Sequence, residues 1–260
     1  VRGLRLRQAG LTLVELLVGM ALMGIVLAAL VAYFSQSGRV SAQSSTRAEL
    51  QQEVLNAQQL IAGKLKEAWY VYPPGQTIAM TTSNLTKRPT GAGHTWTVGT
   101  DPIVAMVLPP ETPGGAYRFL AYYPVQRALW VSGTATESWR NPGPDSANEN
   151  TWVLAEYRGS IAPGAGGAPP ATPPSVPTGN TANLLADYIA PTIQTTGFTT
   201  PSNTYTMFTY GQDADGTVRS VTLNLAVARQ SGGTLMRLPG PTGTYSTTVF
   251  PANIGRVAAN

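Results

Sequence analysis

From Leu11 to Phe34 the chain reads LTLVELLVGMALMGIVLAALVAYF, and 20 of these 24 residues are apolar. Only Thr12, Glu15, Gly19 and Gly24 interrupt the run. Wound as a helix it spans about 36 Å at 1.5 Å per residue, enough for the ~30 Å hydrocarbon layer of a bilayer. Arg2, Arg5 and Arg7 stand before it with no acidic residue among them. Basic flanks are retained on the cytoplasmic side, so residues 1–10 are expected inside and the C-terminal part outside. Two other readings fit less well. A core helix of a soluble domain has no need of so long an uncharged stretch behind a basic flank. An ordinary secretory signal, cut at the small residues Val40-Ser41-Ala42 before Gln43, has an apolar region of about 7–15 residues, shorter than this one.

The remaining composition closes several chemistries. There is no cysteine and one histidine, His94. That excludes a disulfide framework, a thiol nucleophile and an iron–sulfur cluster, and with them every metal site built on two histidines. Charged residues make up 12% of the chain, half the usual share of about 25%, and the apolar run accounts for part of the deficit. The formal charge of +4 falls to +1 once Arg2, Arg5 and Arg7 are set aside. The basic excess therefore reports orientation in a membrane and not affinity for nucleic acid. Nucleophile-elbow, phosphate-loop and zinc-protease motifs are missing. His94 sits in Thr90–Thr95, expected to be a solvated loop between strands, and Asp145 and Glu149 fall in loop sequence and are assigned no catalytic role. Neither an enzyme nor a cofactor is expected.

Glu15 needs a reason to be where it is, because a carboxylate at the centre of a membrane helix costs roughly 2.5–3.5 kcal/mol. One turn into the helix it is near the interface and favours the positive N-terminal end. The hexapeptide Gly10-Leu11-Thr12-Leu13-Val14-Glu15, behind a short basic leader, also resembles the cleavage and methylation motif of type IV prepilins and type II secretion pseudopilins. The resemblance implies that a prepilin peptidase cuts after Gly10, that the new N-terminal Leu11 is N-methylated, and that the helix is then kept. It further implies that Glu15 neutralises the Leu11 ammonium of its own or a neighbouring subunit, and registry is the best-attested use of buried ion pairs. The partners implied are prepilin peptidase, other pilin or pseudopilin subunits, the inner-membrane assembly platform and the lipid bilayer. Nucleic acid would be engaged only through the assembled fibre.

Farther along, Gly24, Ala28 and Ala32 recur every fourth residue as a small-residue face suited to close helix packing. No proline occurs from Leu11 to Tyr72, so no melted segment is expected, with Ser35-Gln36-Ser37-Gly38 the weakest point. Leu50, Val54, Ala57, Ile61, Leu65 and Ala68 then step by three or four, an amphipathic stripe. Gln51, Gln52, Glu53, Gln58 and Gln59 lie between them as the polar face. Pro73-Pro74-Gly75 ends the helix. A helix from 11 to about 70 is some 90 Å long, the kind of N-terminal helix the pilin resemblance implies.

Beyond residue 75 short β-type runs dominate, punctuated by glycine and proline: Ile103–Leu108, Tyr117–Val125, Ala128–Ser132, Trp152–Tyr157, Tyr205–Tyr210 and Thr217–Val227. Val221, Leu223, Leu225 and Val227 alternate with polar or small residues, as in a strand with one buried face. Gln212–Gly216 reads as a hairpin turn ending in Asp-Gly. Asp213 and Asp215 are weak candidates for calcium, short of the usual 6–8 oxygen ligands. Residues 162–179 hold six prolines and four glycines and are expected to be a mobile surface loop, and Asn141–Asn150 another polar loop.

The expected class is α+β. It is a pilin-like fold, with a long N-terminal helix packed on an antiparallel sheet carrying long loops. The expected organisation is a cleaved leader (1–10), a transmembrane helix (11–34), its amphipathic continuation (35–72) and an extracytoplasmic β-rich domain (73–260). Leu184–Ile189, Phe208–Tyr210, the Asp213–Gly216 turn, Val218–Val227 and Tyr117–Trp130 are similar to W-type minor pilins and J-type pseudopilins. The expected function is a non-enzymatic subunit of a type IV pilus or type II secretion pseudopilus. The alternative is a membrane-anchored binding module, an adhesin or DNA-uptake subunit. Tyr122, Tyr123, Trp130, Trp139 and Trp152 would then supply stacking surface, against their more usual place in a core.

Overall fold

The computed structural model describes residues 12–89, 91, 93–177, 181–193, 204–231 and 233–254. Helix α1 runs without a break through Leu13–Glu67, Ser35–Gly38 included, as the lack of proline predicts. The chain divides between Ala48 and Glu49 into two compact units. In the first, the apolar side chains of α1, among them Leu17, Met20, Ile25, Val31 and Phe34, are all exposed. This stretch is long and apolar enough to cross a bilayer, and none of it is buried within the fold, unlike the core helix of a soluble domain.

In the second unit the expected stripe is the buried one: Leu50, Val54, Ala57, Ile61, Leu65 and Ala68 are all at most 3% exposed. They pack on a seven-stranded antiparallel sheet of order β1-β4-β5-β6-β7-β10-β11. Its strands are β1 (Tyr70–Val71), β4 (Val104–Leu108), β5 (Tyr117–Gln126), β6 (Trp152–Ile161), β7 (Ala182–Ile189), β10 (Val227–Ser231) and β11 (Thr234–Leu238). A three-stranded sheet of β12 (Tyr245–Val249), β9 (Val218–Leu225) and β8 (Phe208–Gln212) closes the same core. One polar residue of the helix belongs to this core. Gln58, expected on the solvated face, is buried and donates from Nε2 to the carbonyls of Leu223 (3.1 Å) and Tyr245 (3.0 Å), pinning α1 to neighbouring strands β9 and β12.

The central strands β4 and β5 and the first part of β6 are buried on both faces, which an alternating pattern does not announce. On β5, Leu120 and Tyr122 face α1, while Phe119, Ala121, Tyr123 and Val125 face a second core. That second layer includes the hairpin of β2 (Thr77–Ala79) and β3 (Thr95–Thr97) and the short helix α2 (Arg127–Gly133). Trp96 and Trp130 are its largest fully buried side chains, with Trp69 beside them at 5% exposure. Strands covered on both sides read as continuous apolar runs, and Val104–Leu108 is buried at every residue.

Three expectations are corrected here. Ala128–Ser132 is helical, not a strand: Leu, Trp and Val gave it a β look, but α2 turns Trp130 into the second core and Thr134 Oγ1 closes its end on the Trp130 carbonyl at 2.7 Å. The single strand expected over Thr217–Val227 is two, β9 and β10, in different sheets. They part at Ala226, whose carbonyl accepts the Ala190 N–H at 2.8 Å. The proline-rich segment, of which 178 and 179 lie outside the described residues, is partly docked: Pro174 is buried and accepts the Tyr72 hydroxyl at 2.8 Å, and Val176 packs on the second core.

Candidate functional site

Gly10, Leu11 and the arginines Arg2, Arg5 and Arg7 lie outside the described residues. The described part of the N-terminal motif begins at Thr12, the residue before α1. Thr12 and Glu15 form a reciprocal pair in the Thr-x-x-Glu spacing of a capping box. The Thr12 backbone N–H donates to Glu15 Oε2 at 2.9 Å, the Thr12 hydroxyl donates to the same oxygen at 2.8 Å, and the Glu15 N–H donates to Thr12 Oγ1 at 3.3 Å. Helix starts leave N–H groups without partners, and in a membrane those are costly. Glu15 thus has a local function the sequence reading expressed only as a favourable dipole. Both residues are exposed, and so are Gly24, Ala28 and Ala32 on the same unit. A Cβ added at Gly24 would meet nothing within 4 Å.

The turn Asp213–Gly216 is the hairpin expected, joining β8 to β9, with the Gly216 N–H on the Asp213 carbonyl at 3.0 Å and Gly216 at φ +81°. Its carboxylates serve the turn: Asp215 Oδ1 accepts the Thr217 N–H at 3.0 Å and Asp213 pairs with Arg219. The Thr217 hydrogen bonds hold the Asp215 carboxyl below its ordinary value. His94 is half-buried, with Nδ1 3.0 Å from the Thr86 hydroxyl, so it is tied down and not a solvated loop histidine. Tyr122, Tyr123, Trp130 and Trp152 are core residues at 1% exposure or less; Trp139 alone of the five aromatic candidates is open, at 73%.

What the sequence reading missed is a buried polar cluster where α1 meets β7. Arg127, 1% exposed, donates to both oxygens of Asp187 (3.0 and 3.1 Å from Nε, 3.0 Å from Nη2) and to the Gly143 carbonyl at 2.9 Å. Burial is the largest single influence and works against the Arg127 charge, but the Asp187 hydrogen bonds and charge, with Tyr188 and Asp145 behind them, together outweigh it and leave the guanidinium above its ordinary pKa. Glu53 of α1 accepts the Asp187 N–H at 2.7 Å. Next to it Tyr188 sits at φ +53°, a backbone region that disfavours a side chain. The guanidinium carbons of Arg127 and Arg229 lie 5.0 and 4.6 Å from the centre of its ring, and its hydroxyl donates to Asp145 at 3.0 Å. Burial, with the Asp187 charge behind it, pushes that hydroxyl up to about 12. The polar loop expected at Asn141–Asn150 is part of this structure, since Asn148 is fully buried and bonds both the carbonyl and the N–H of Gln230. One signal was present in the sequence: an aspartate inside the apolar strand Leu184–Ile189 needs a partner.

Glu53 sets a pH dependence. Burial, reinforced by the Asp187 charge, raises its carboxyl above 4.5, against the Asp187 N–H and Arg229, which lower it. A carboxyl with a raised folded-state pKa contributes most below its unfolded value and loses that contribution as pH rises through the folded value. Glu53→Gln keeps an acceptor for the Asp187 N–H and removes the titration. The wild-type urea midpoint is therefore expected to gain on the variant's as pH falls from neutral toward 4.5, with the variant equal or ahead at pH 7. Parallel midpoints across that window would remove Glu53 from the account.

Against known families, the description "Prokaryotic N-terminal methylation motif" matches residues 5–31. No curated protein matches the chain, and no solved structure does. Residues 5–31 thus carry a prepilin-type N-terminal methylation motif, which supports a type IV pilin-like protein.

Proposed function

We propose that the chain is a minor pilin or pseudopilin: a structural, non-enzymatic subunit anchored in the inner membrane by residues 11–34 with its β-rich part outside. It is processed after Gly10 by a prepilin peptidase, methylated on Leu11, and taken into a filament through its helix with other pilin subunits and the inner-membrane assembly platform. The observation that carries this reading is the methylation motif standing at the head of one uninterrupted helix, exposed and apolar in its first half and built into a sheet in its second. An anchor that only tethers a domain has no need of that continuity, whereas a filament subunit uses the helix as both shaft and mount. The patterns at Leu184–Ile189 and Phe208–Val227 support a W-type or J-type subunit. The exposed stripe Gly24, Ala28 and Ala32 supports close packing of neighbouring helices.

Intact-mass and N-terminal analysis of the protein from its native membrane tests the processing. The expected result is a chain beginning at Leu11 with one added methyl group. Any other first residue overturns it.

A further inference from the structure

Four of the five tryptophans, Trp69, Trp96, Trp130 and Trp152, are at most 5% exposed; Trp139 is 73% exposed. It is not a stray side chain on a smooth surface. Trp139, Arg140, Asn141, Pro142, Arg158, Asn183 and Leu184 border an open cavity of about 430 Å³, within the usual range of small-ligand sites. We propose that this cavity is a binding site for a neutral oligosaccharide, with the Trp139 indole as the stacking platform.

The segment that carries Trp139 is held before any ligand arrives. The Arg140 guanidinium lies 5.1 Å from the centre of the Trp139 ring and is itself only 11% exposed, bonded to Glu137 and to the Ala182 carbonyl. The Arg140 carbonyl accepts the Trp130 indole N–H at 3.0 Å. Asn141 donates to the Val131 carbonyl at 3.0 Å and accepts the Gly143 N–H at 2.8 Å. A large, exposed aromatic surface fixed in this way loses little entropy on binding. Around it, among the described residues, the Asn183 amide, the outer nitrogens of Arg158 and the indole N–H of Trp139 make no hydrogen bond within the fold. Donors and an acceptor rimming an aromatic face suit a pyranose, whose hydroxyls ring an apolar C–H face.

Charge decides against a polyanion. Arg140 is paired with Glu137, and Arg158 with Glu156, so the cavity offers no uncompensated cation, and nucleic-acid affinity rests on such cations. Polarity decides against a protein partner, since the lining has two apolar residues beside Trp139, Pro142 and Leu184, where protein interfaces centre on a contiguous apolar patch. The site is independent of whether the chain forms filaments.

The test uses the full chain in lipid nanodiscs, free of glycosidic detergent, titrated with maltohexaose, cellohexaose, chitohexaose, polygalacturonate and a twelve-nucleotide oligothymidylate. At least one neutral hexasaccharide is expected to bind and to shift the fluorescence of the exposed tryptophan. Trp139→Ala is expected to weaken that binding about ten-fold or more with an unchanged melting temperature, and Trp139→Tyr to retain part of it. Failure of all three neutral sugars at millimolar concentration overturns the proposal, as does binding that survives Trp139→Ala. Binding confined to polygalacturonate or, falling with salt, to the oligonucleotide overturns it equally, and so does a Trp139-dependent self-association without sugar binding.

Discussion

Arg127→Ala is expected to destabilise the globular unit by about 3–5 kcal/mol, the cost of breaking a buried ion pair from one side. The variant leaves the Asp187 carboxylate, 7% exposed, without its counter-ion and beside the Glu53 carboxylate that already accepts its N–H. It also strips one of the two guanidiniums from the Tyr188 ring and a donor from the Gly143 carbonyl. For a unit of this size about 2–4 °C of melting temperature goes with each kcal/mol, so a fall on the order of 10 °C is expected. Asp187→Ala should cost a comparable amount, because it orphans Arg127 and releases the Tyr188 N–H held at 2.7 Å. The double variant Arg127→Ala/Asp187→Ala should cost clearly less than the two single losses together, since the second substitution removes the charge the first left unpaired. The urea midpoint followed by tryptophan fluorescence reads all three, four of the five tryptophans being buried in this unit. Single losses under about 1 kcal/mol, or strict additivity, would show that the cluster is no more than a solvated surface pair.

The same cluster shows where sequence reading stops. The helix stripe Leu50–Ala68 and the motif around Glu15 are legible because their information is local: a period of three to four, a leader, a carboxylate one turn in. The Asp213–Gly216 turn is legible for the same reason, two strands meeting at Asp-Gly. Arg127 and Asp187 are sixty positions apart, and Glu53 lies 134 before Asp187, so their meeting depends on the β5-β6-β7 order and on two register slips between Trp152 and Ala155. No local pattern encodes those. Gln58 is invisible on similar grounds, one glutamine among several, selected because β9 and β12 present carbonyls to its place on α1. The five tryptophans look alike as residue types, and only the tertiary arrangement separates Trp139 from the four in the cores. Sheet burial on both faces hid the second core, whose β2–β3 hairpin and α2 cover residues that an alternating pattern would have left to solvent.

At the head of the helix, capping and assembly are expected to separate under two substitutions. Thr12→Ala removes the hydroxyl and with it two of the three contacts of the capping pair, a loss of about 0.5–2 kcal/mol of helix stability, and leaves the Glu15 charge in place. Glu15→Gln keeps a side chain competent in a capping box and removes the charge that would balance a Leu11 ammonium. If Glu15 serves only to start the helix, Thr12→Ala is the more damaging change and Glu15→Gln is nearly silent. If it pairs with an ammonium in the filament, the order reverses: Glu15→Gln leaves an uncompensated cation in an apolar environment, a cost of several kcal/mol per contact repeated at each incorporation. The expected outcome is the second. Glu15→Gln should insert in the membrane and lose its leader as the wild type does, yet be absent from sheared filament fractions, while Thr12→Ala is incorporated at near-normal level. Quantitative blotting of membrane and filament fractions for the two variants decides it, and filaments that contain Glu15→Gln at wild-type abundance would reduce Glu15 to the helix cap that its bonds to Thr12 already describe.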